Sequence, residues 1–170
     1  MKSVILISAD PCYSYRADKA HQETGIIAMS RLRQLSREDI MFIAGETDCI
    51  YQHVGILVTL DTAGCAEFDF AHFRDHCSER LGMIPQYRWK LHTIPLGLDR
   101  PYWVEDEHFS FDHHIKHIAL PSPGDRQTLC EVAANLYCNH LDRTKPLWEI
   151  WLIEGLEDGK FAYLQKFHHC

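Results

Sequence analysis

The sequence contains no apolar stretch that approaches the ~20 residues a membrane-spanning helix requires. The run SVILISA at positions 3–9 is too short to cross a bilayer. One lysine precedes it, and DPCYSYR follows where a signal peptide would place small residues for cleavage, so it does not read as a secretion signal. An excess of positive charge is also missing. Lys+Arg 17 against Asp+Glu 24 gives a net charge of −7, which argues against a nucleic-acid binder but leaves room for a local basic site. The seven cysteines, at positions 12, 49, 65, 77, 130, 138 and 170, include no C-x-x-C pair. An odd number without repeating spacing reads as free thiols in a reducing compartment. There is no G-x-S-x-G, which sets aside a serine nucleophile elbow, and no glycine-rich loop to cradle phosphate. No internal repeat or low-complexity tract is present.

What is there suits one globular domain or a large subdomain. A chain of 170 residues with 46% hydrophobic content can bury roughly two-thirds of its unfolded surface. Residues 1–28 stand apart from the rest, because DKAHQETG has no clear periodicity. The expectation is a disordered or loosely attached leader, or a misassigned start, with Met29 as a more natural beginning; a real strand from Val4 to Ser8 is the alternative. The domain is then expected over residues 29–170.

Within it, Ser36 with Asp39 three residues on predicts a capped helix to about Ala44, with Gly45 as its stop. HVGILVTLD at 53–61 is short, β-branched and continuous, and predicts a buried strand. Phe70, Phe73, Cys77 and Leu81 follow helical spacing between Asp69 as N-cap and Gly82 as stop. YRWKLHTIP, PYWVED and FSFDHHIKHIAL read as extended pieces. A helix from about Asp125 to Leu141 places Leu129, Val132, Ala133, Leu136, Tyr137 and Leu141 near one face. LWEIWLIEG and KFAYLQKFHH predict a closing hairpin with Asp158-Gly159 at its turn. The order is mixed α/β, an α+β two-layer sandwich.

The chemistry concentrates in KFHH at the end of the last predicted strand. A histidine held at a strand terminus is well placed for proton transfer, because imidazole titrates near neutrality. Side chains alternate across a sheet, so His168 and His169 should point to opposite faces. Other residue groups have plainer readings. In a strand, His113 and His117 of DHHIKH share a face about 13 Å apart, too far to chelate one ion. A metal on His168, His169 and Cys170 is disfavoured because neighbours on a strand diverge. Trp148 and Trp151 read as core or interface before channel lining. Asp142 and Arg143 read as a structural ion pair before a phosphate site, and Arg88 and Lys90 as a solvated strand edge.

The stretch LDRTKPLWEIWLIEGLEDGKFAYLQKFHHC resembles the bacterial wax ester synthase/diacylglycerol acyltransferase family. Pro146, Leu147, Trp148 and Glu149 match its PLWE segment, and His168 and His169 match the first two positions of its HHxxxDG motif. LSREDIMFIAGETDCIYQHVGILVTLD and FDHHIKHIALPSPGDRQTL extend the likeness over about residues 29–170. The resemblance implies the N-terminal half of a CoA-dependent, chloramphenicol acetyltransferase-like fold. It also implies O-acyl transfer from acyl-CoA to a diacylglycerol or long-chain alcohol, in triacylglycerol or wax ester synthesis. His169 would be the general base and His168 a structural partner. Acyl-CoA would be a co-substrate, with no metal and no further cofactor. The protein would be cytoplasmic, with peripheral contact at the inner membrane surface or a lipid droplet.

The chain carries only the first two positions of the motif. The expectation is therefore a frame cut inside its active site, with little activity and an apolar face left by a missing C-terminal half. Two rivals stand beside this reading. One is a condensation-type acyltransferase of the same fold, and the other a non-catalytic half-module for binding or assembly.

Overall fold

The computed structural model describes residues 33–65 and 68–170, together with the backbone of Val4–Ala9. Its main sheet has five strands in the order β1-β3-β8-β7-β6: Val4–Ala9 (β1), His53–Leu60 (β3), Phe161–His168 (β8), Trp148–Glu154 (β7) and Ile115–Ala119 (β6). A small sheet orders β2 (Arg33–Gln34), β5 (Tyr102–Glu105) and β4 (Trp89–His92). The helices are α1 (Arg37–Gly45), α2 (Phe70–Gly82) and α3 (Arg126–Tyr137). The mixed α/β class expected from the sequence holds. Val4–Ala9 pairs in parallel with Gly55–Leu60, as in the strand alternative for this stretch. The leader reading for the rest of residues 1–28 falls outside the described residues.

Alternation along the central strands divides the core. Leu57, Ile153, Ala162 and Leu164 pack with Leu129, Ala133 and Leu136 of α3 on one face. Val58, Leu60, Ile150 and Leu152 pack with Phe73 of α2 on the other. The α3 face is sealed: Ile153 and Ala162 are wholly buried and Leu164 nearly so. The α2 face is looser, since Phe161, Tyr163 and Phe167 are only partly buried.

The local signals act as the sequence suggests. The Ser36 side chain accepts from the Asp39 amide at 3.0 Å and the Asp39 carboxylate accepts from the Ser36 amide at 3.2 Å, a reciprocal capping box. Asp69 and Asp125 cap α2 and α3 with their side chains alone, accepting from the His72 amide at 2.9 Å and the Thr128 amide at 2.8 Å, without the reciprocal bond. At the β7–β8 turn, Asp158 and Gly159 both take positive φ, 64° and 66°, the pairing that an Asp-Gly hairpin signal anticipates.

Two extended readings are corrected. Phe111–His113 is a turn of 3-10 helix, with the Ser110 hydroxyl accepting from the Asp112 amide, and the strand begins only at Ile115. His113 and His117 therefore do not share one strand. α3 stops at Tyr137 rather than near Leu141, with Cys138 as its C-cap, and the carbonyls of Leu136 and Asn139 at this end are taken by a side chain from β8.

Candidate functional site

That side chain is Lys166. It is completely buried, and its ammonium donates to the carbonyls of Leu136 at 3.1 Å and Asn139 at 2.7 Å, with the Glu149 carboxylate at 3.6 Å. A cation on the orphan carbonyls of a helix C-terminus is favourable both as a hydrogen-bond donor and toward the helix dipole. Burial pushes the Lys166 ammonium below its ordinary range, and Glu149 offsets part of that. Glu149 in turn accepts from Lys116 at 3.0 Å and from the Trp151 indole at 3.0 Å. The last turn of α3 is thereby tied to the closing hairpin, one alternation before His168.

His168 ends β8 on the same, α3-facing side. It is 4% exposed, and its backbone amide donates to the Leu147 carbonyl at 2.9 Å. The Cys170 amide donates to its Nδ1 at 3.2 Å, so the neutral ring carries its proton on Nε2. Nε2 faces the Glu46 carboxylate at 3.7 Å, beyond hydrogen-bond length, and has no hydrogen-bond partner among the described residues. Burial lowers the His168 pKa, with the Glu46 charge opposing the shift.

Glu46 sits at the C-cap of α1 with its side chain 6% exposed. Burial pushes its carboxyl up. Arg143, by hydrogen bonding and by charge, together with the His168 and His140 rings, outweighs that and holds it below the ordinary range. Arg143 grips it from Nε at 3.0 Å and Nη2 at 2.6 Å and also reaches the Ile43 carbonyl at 3.0 Å. The structural reading of Arg143 holds, with Glu46 as its partner. Asp142 instead accepts from the Thr144 amide and hydroxyl.

His169 points the other way. Its side chain is exposed, its amide donates to the Gln52 carbonyl at 2.8 Å, and its ring stacks on Phe42 with centroids 4.1 Å apart and planes 23° from parallel. The structure thus separates the pair as strand alternation requires: one ring is locked inside against a carboxylate and the other presented outward on an aromatic platform. Both supports come from α1, where Asp39, Phe42 and Glu46 lie at helical spacing on the side turned to the histidines. Sequence reasoning missed this face, since its intervals of three and four residues mix acids with a phenylalanine and do not resemble an apolar stripe. It also missed His53, buried beside His168 in the β3–β8 register, which exchanges hydrogen bonds with Tyr137: ring Nε2 to the Tyr137 carbonyl at 2.7 Å, and the phenol to the His53 carbonyl at 2.8 Å.

Pro146, Leu147 and Trp148 are buried where they start β7. The Trp148 indole donates to the Tyr87 carbonyl at 2.8 Å, and its ring stacks on His114 at 4.4 Å. Trp148 and Trp151 behave mainly as packing residues, and Trp148 also contributes to a cleft of 360 Å³ beside the histidine turn. Trp89, Trp103, Tyr87, Phe167 and His168 line this cleft with it. The solvated reading of Lys90 is corrected: its ammonium pairs at 2.8 Å with Asp106, whose side chain is only 2% exposed. Arg88 lies over the Phe109 ring. His114 is buried against Trp148, while His117 stacks on Phe70 and faces Glu154 at 3.1 Å, so the DHHIKH histidines face different partners. Burial pushes the Cys170 thiol up to about 12, which leaves it protonated and a poor nucleophile.

Residues 35–170 match the model of the wax ester synthase/diacylglycerol acyltransferase catalytic domain. The chain is 37% identical over 137 residues to the Mycobacterium tuberculosis protein named "Probable diacyglycerol O-acyltransferase tgs3", covering 81% of this chain and 50% of that protein. Among solved structures, the wax ester synthase/diacylglycerol acyltransferase from Marinobacter aquaeolei VT8 superposes with a TM-score of 0.71 at 33% identity, over 81% of this chain and 33% of that one. The starter condensation domain of rhizomide synthetase RzmA superposes with a TM-score of 0.61 at 13% identity over 82% of this chain and 34% of that one, a likeness of fold alone. The chain therefore spans a third to a half of the length of these relatives. With that domain model matched over residues 35–170 and 37% identity to a relative over 81% of this sequence, the chain belongs to the wax ester synthase/diacylglycerol acyltransferase family.

Proposed function

We propose that this chain contributes one wall of an O-acyltransferase site, in which His169 removes the proton from an acceptor hydroxyl so that its oxygen can attack the thioester carbonyl of a fatty acyl-CoA. A tetrahedral oxyanion forms and collapses with departure of the CoA thiolate, and the ester is the product. The acceptor is a diacylglycerol, the substrate class in the family's name, or a long-chain alcohol, the acceptor that a wax ester product requires. The thioester is already activated, so the step needs base and oxyanion stabilisation rather than a further cofactor. General-base assistance is worth about 10²- to 10⁴-fold.

The observation that carries this reading is the division of labour in the histidine turn. His169 is exposed, fixed through its backbone to Gln52 and stacked on Phe42, while His168 is buried and turned to Glu46. One ring can meet substrate, and the other holds the turn. The condensation-type alternative shares the fold, but the identity to lipid acyltransferases favours a lipid acceptor. In this reading the groups facing His169 across the site correspond to the part of the relatives' length that this chain does not span.

A chimera tests the assignment. Residues 35–170 replace the matching segment of the tgs3 protein, and CoA release is followed with palmitoyl-CoA and either hexadecanol or a diacylglycerol. The chimera should transfer acyl groups, and His169→Ala should lower kcat by about 10²- to 10⁴-fold with little change in fold. Retention of activity within about threefold in the His169→Ala chimera would remove His169 from the mechanism, since 1.4 kcal/mol in the barrier is already tenfold.

A further inference from the structure

A second buried ring stands beside the histidine turn. His53 opens β3 directly across the β3–β8 register from His168, so both rings rise on the α3-facing side, and both residues are 4% exposed. In each ring one nitrogen has a partner. The other, Nδ1 of His53 and Nε2 of His168, is buried with none among the described residues. Burial lowers the pKa of both rings below the ordinary value of 6.5, which favours the neutral forms near pH 7. In the neutral rings the partnered nitrogens fix where the hydrogens sit. A carbonyl only accepts, so His53 Nε2, 2.7 Å from the Tyr137 carbonyl oxygen, carries the hydrogen and Nδ1 keeps a lone pair. A backbone amide only donates, so His168 Nδ1, 3.2 Å from the Cys170 nitrogen, keeps a lone pair and Nε2 carries the hydrogen. The two orphaned atoms are therefore complementary, one acceptor and one donor, on side chains at paired positions. The bond from the Cys170 amide to His168 Nδ1 also spans His169, closing the backbone around it. With the hydrogen on His168 Nδ1 instead, two donors would meet and that closure would be lost. Gln52, the residue before His53, accepts from the His169 amide at 2.8 Å, so the start of β3 reaches the turn from two sides.

We propose that His53 is a positioning residue for acyl transfer: its Nδ1 lone pair holds the hydrogen of His168 on Nε2, and His168 in that tautomer keeps closed the turn that presents His169. Control runs from the end of α3 to the site. The Tyr137 carbonyl sets the His53 hydrogen, His53 sets that of His168, and His168 Nδ1 holds the Cys170 amide. The Glu46 carboxylate, 3.7 Å from His168 Nε2, is a second acceptor that favours the same tautomer. A direct bond between the rings and one relayed by a single water carry the same pattern of hydrogens, so the tautomers are the observable. The charged and titratable groups acting on one ring or the other are Glu46 from α1, His140 and Arg143 after α3, and Lys166 and His169 from β8 and its end. The link to catalysis rests on the proposed role of His169. The tautomers are read without turnover, so failure of this inference and failure of that role are distinguishable.

Long-range proton–nitrogen NMR correlations of the isotope-labelled 170-residue chain at pH 7.5 read both tautomers. His53 and His168 should each carry hydrogen on Nε2 and none on Nδ1. Hydrogen on Nδ1 of either ring overturns the proposal, whatever the variants do. Two substitutions then separate this role from packing. Gln places an amide NH₂ near the position of Nε2 and keeps a donor for the Tyr137 carbonyl, whereas Asn places an oxygen near that of Nδ1. In His53→Gln, the Nδ1–H form of His168 should appear and the Cys170 amide should exchange faster. In the tgs3 chimera, His53→Gln should lower kcat by about 10- to 100-fold at unchanged KM, and His53→Asn should lower it less. An unaltered His168 tautomer in His53→Gln overturns the proposal. So does full kcat in His53→Gln, or a kcat no higher in His53→Asn than in His53→Gln, because His53 then serves only to anchor the end of α3.

Discussion

At the scale of single residues, the unforeseen determinants are buried polar groups. Lys166 lies in KFHH, two residues before His168, and nothing local says that a cation can be sealed in there. Its partners are two carbonyls at the end of α3 and a carboxylate on β7, all brought from elsewhere in the chain. Lys166→Met should be destabilising by about 2–4 kcal/mol in urea unfolding, because both carbonyls lose their donor and Glu149 loses a neighbouring charge. A cost below about 0.5 kcal/mol would show that the helix end finds other partners. Gly55 is required for a similarly nonlocal reason. A Cβ there would stand 2.7 Å from the Tyr137 ring, which the reciprocal hydrogen bonds with His53 hold in place.

At the scale of elements, α1 decides whether the site is ordered. It buries none of its residues fully, so its hold on the domain is polar and aromatic: the capping box at one end, the Glu46–Arg143 grip at the other and Phe42 against His169 between them. Its start was legible, since Ser36 and Asp39 are three apart and the box is local chemistry. Its role was not, because Arg143 lies 97 residues away in a loop. Ser36→Ala should cost about 1 kcal/mol through the lost cap. Glu46→Gln should cost more, because it leaves Arg143 unpaired and removes the charge facing His168. Hydrogen exchange should read both as faster exchange concentrated in the α1 amides, with the β3–β8–β7 core unaffected. Uniform acceleration across the sheet would contradict a local anchoring role.

For the whole molecule, the buried histidines set a pH dependence. Burial is the leading cause that lowers the pKa of His53, His114 and His168 below the ordinary value of 6.5. Above that value the ring is neutral in both folded and unfolded chains. Below it the unfolded chain takes up protons that the folded chain refuses, so stability falls as pH drops from about 6.5 toward the depressed folded values. Each histidine adds up to about 1.4 kcal/mol per pH unit within that window. Glu46, with its carboxyl pKa lowered, acts in the same direction at lower pH, where the unfolded carboxyl protonates first. Thermal melts from pH 7.5 to 5 should therefore show a declining midpoint, and His114→Phe, which keeps a ring against Trp148, should flatten the slope. A midpoint independent of pH over that range would mean that these rings are protonated alike in both states.

The sequence by itself determined the order of elements, their caps, the hairpin turn and the opposite facing of His168 and His169, because those rest on interactions between residues close along the chain and on the two-residue repeat of a strand. It also carried the family likeness, through the PLWE segment and the paired histidines. Only the tertiary structure decided which groups hold the histidines: Glu46 and Phe42 from α1, the Leu147 and Gln52 carbonyls, and the Lys166 clamp on α3. The physical reason is that a buried charge is tolerable only with partners of opposite sign or polarity, and those partners are recruited by the packing of the sheet from segments far apart in the chain.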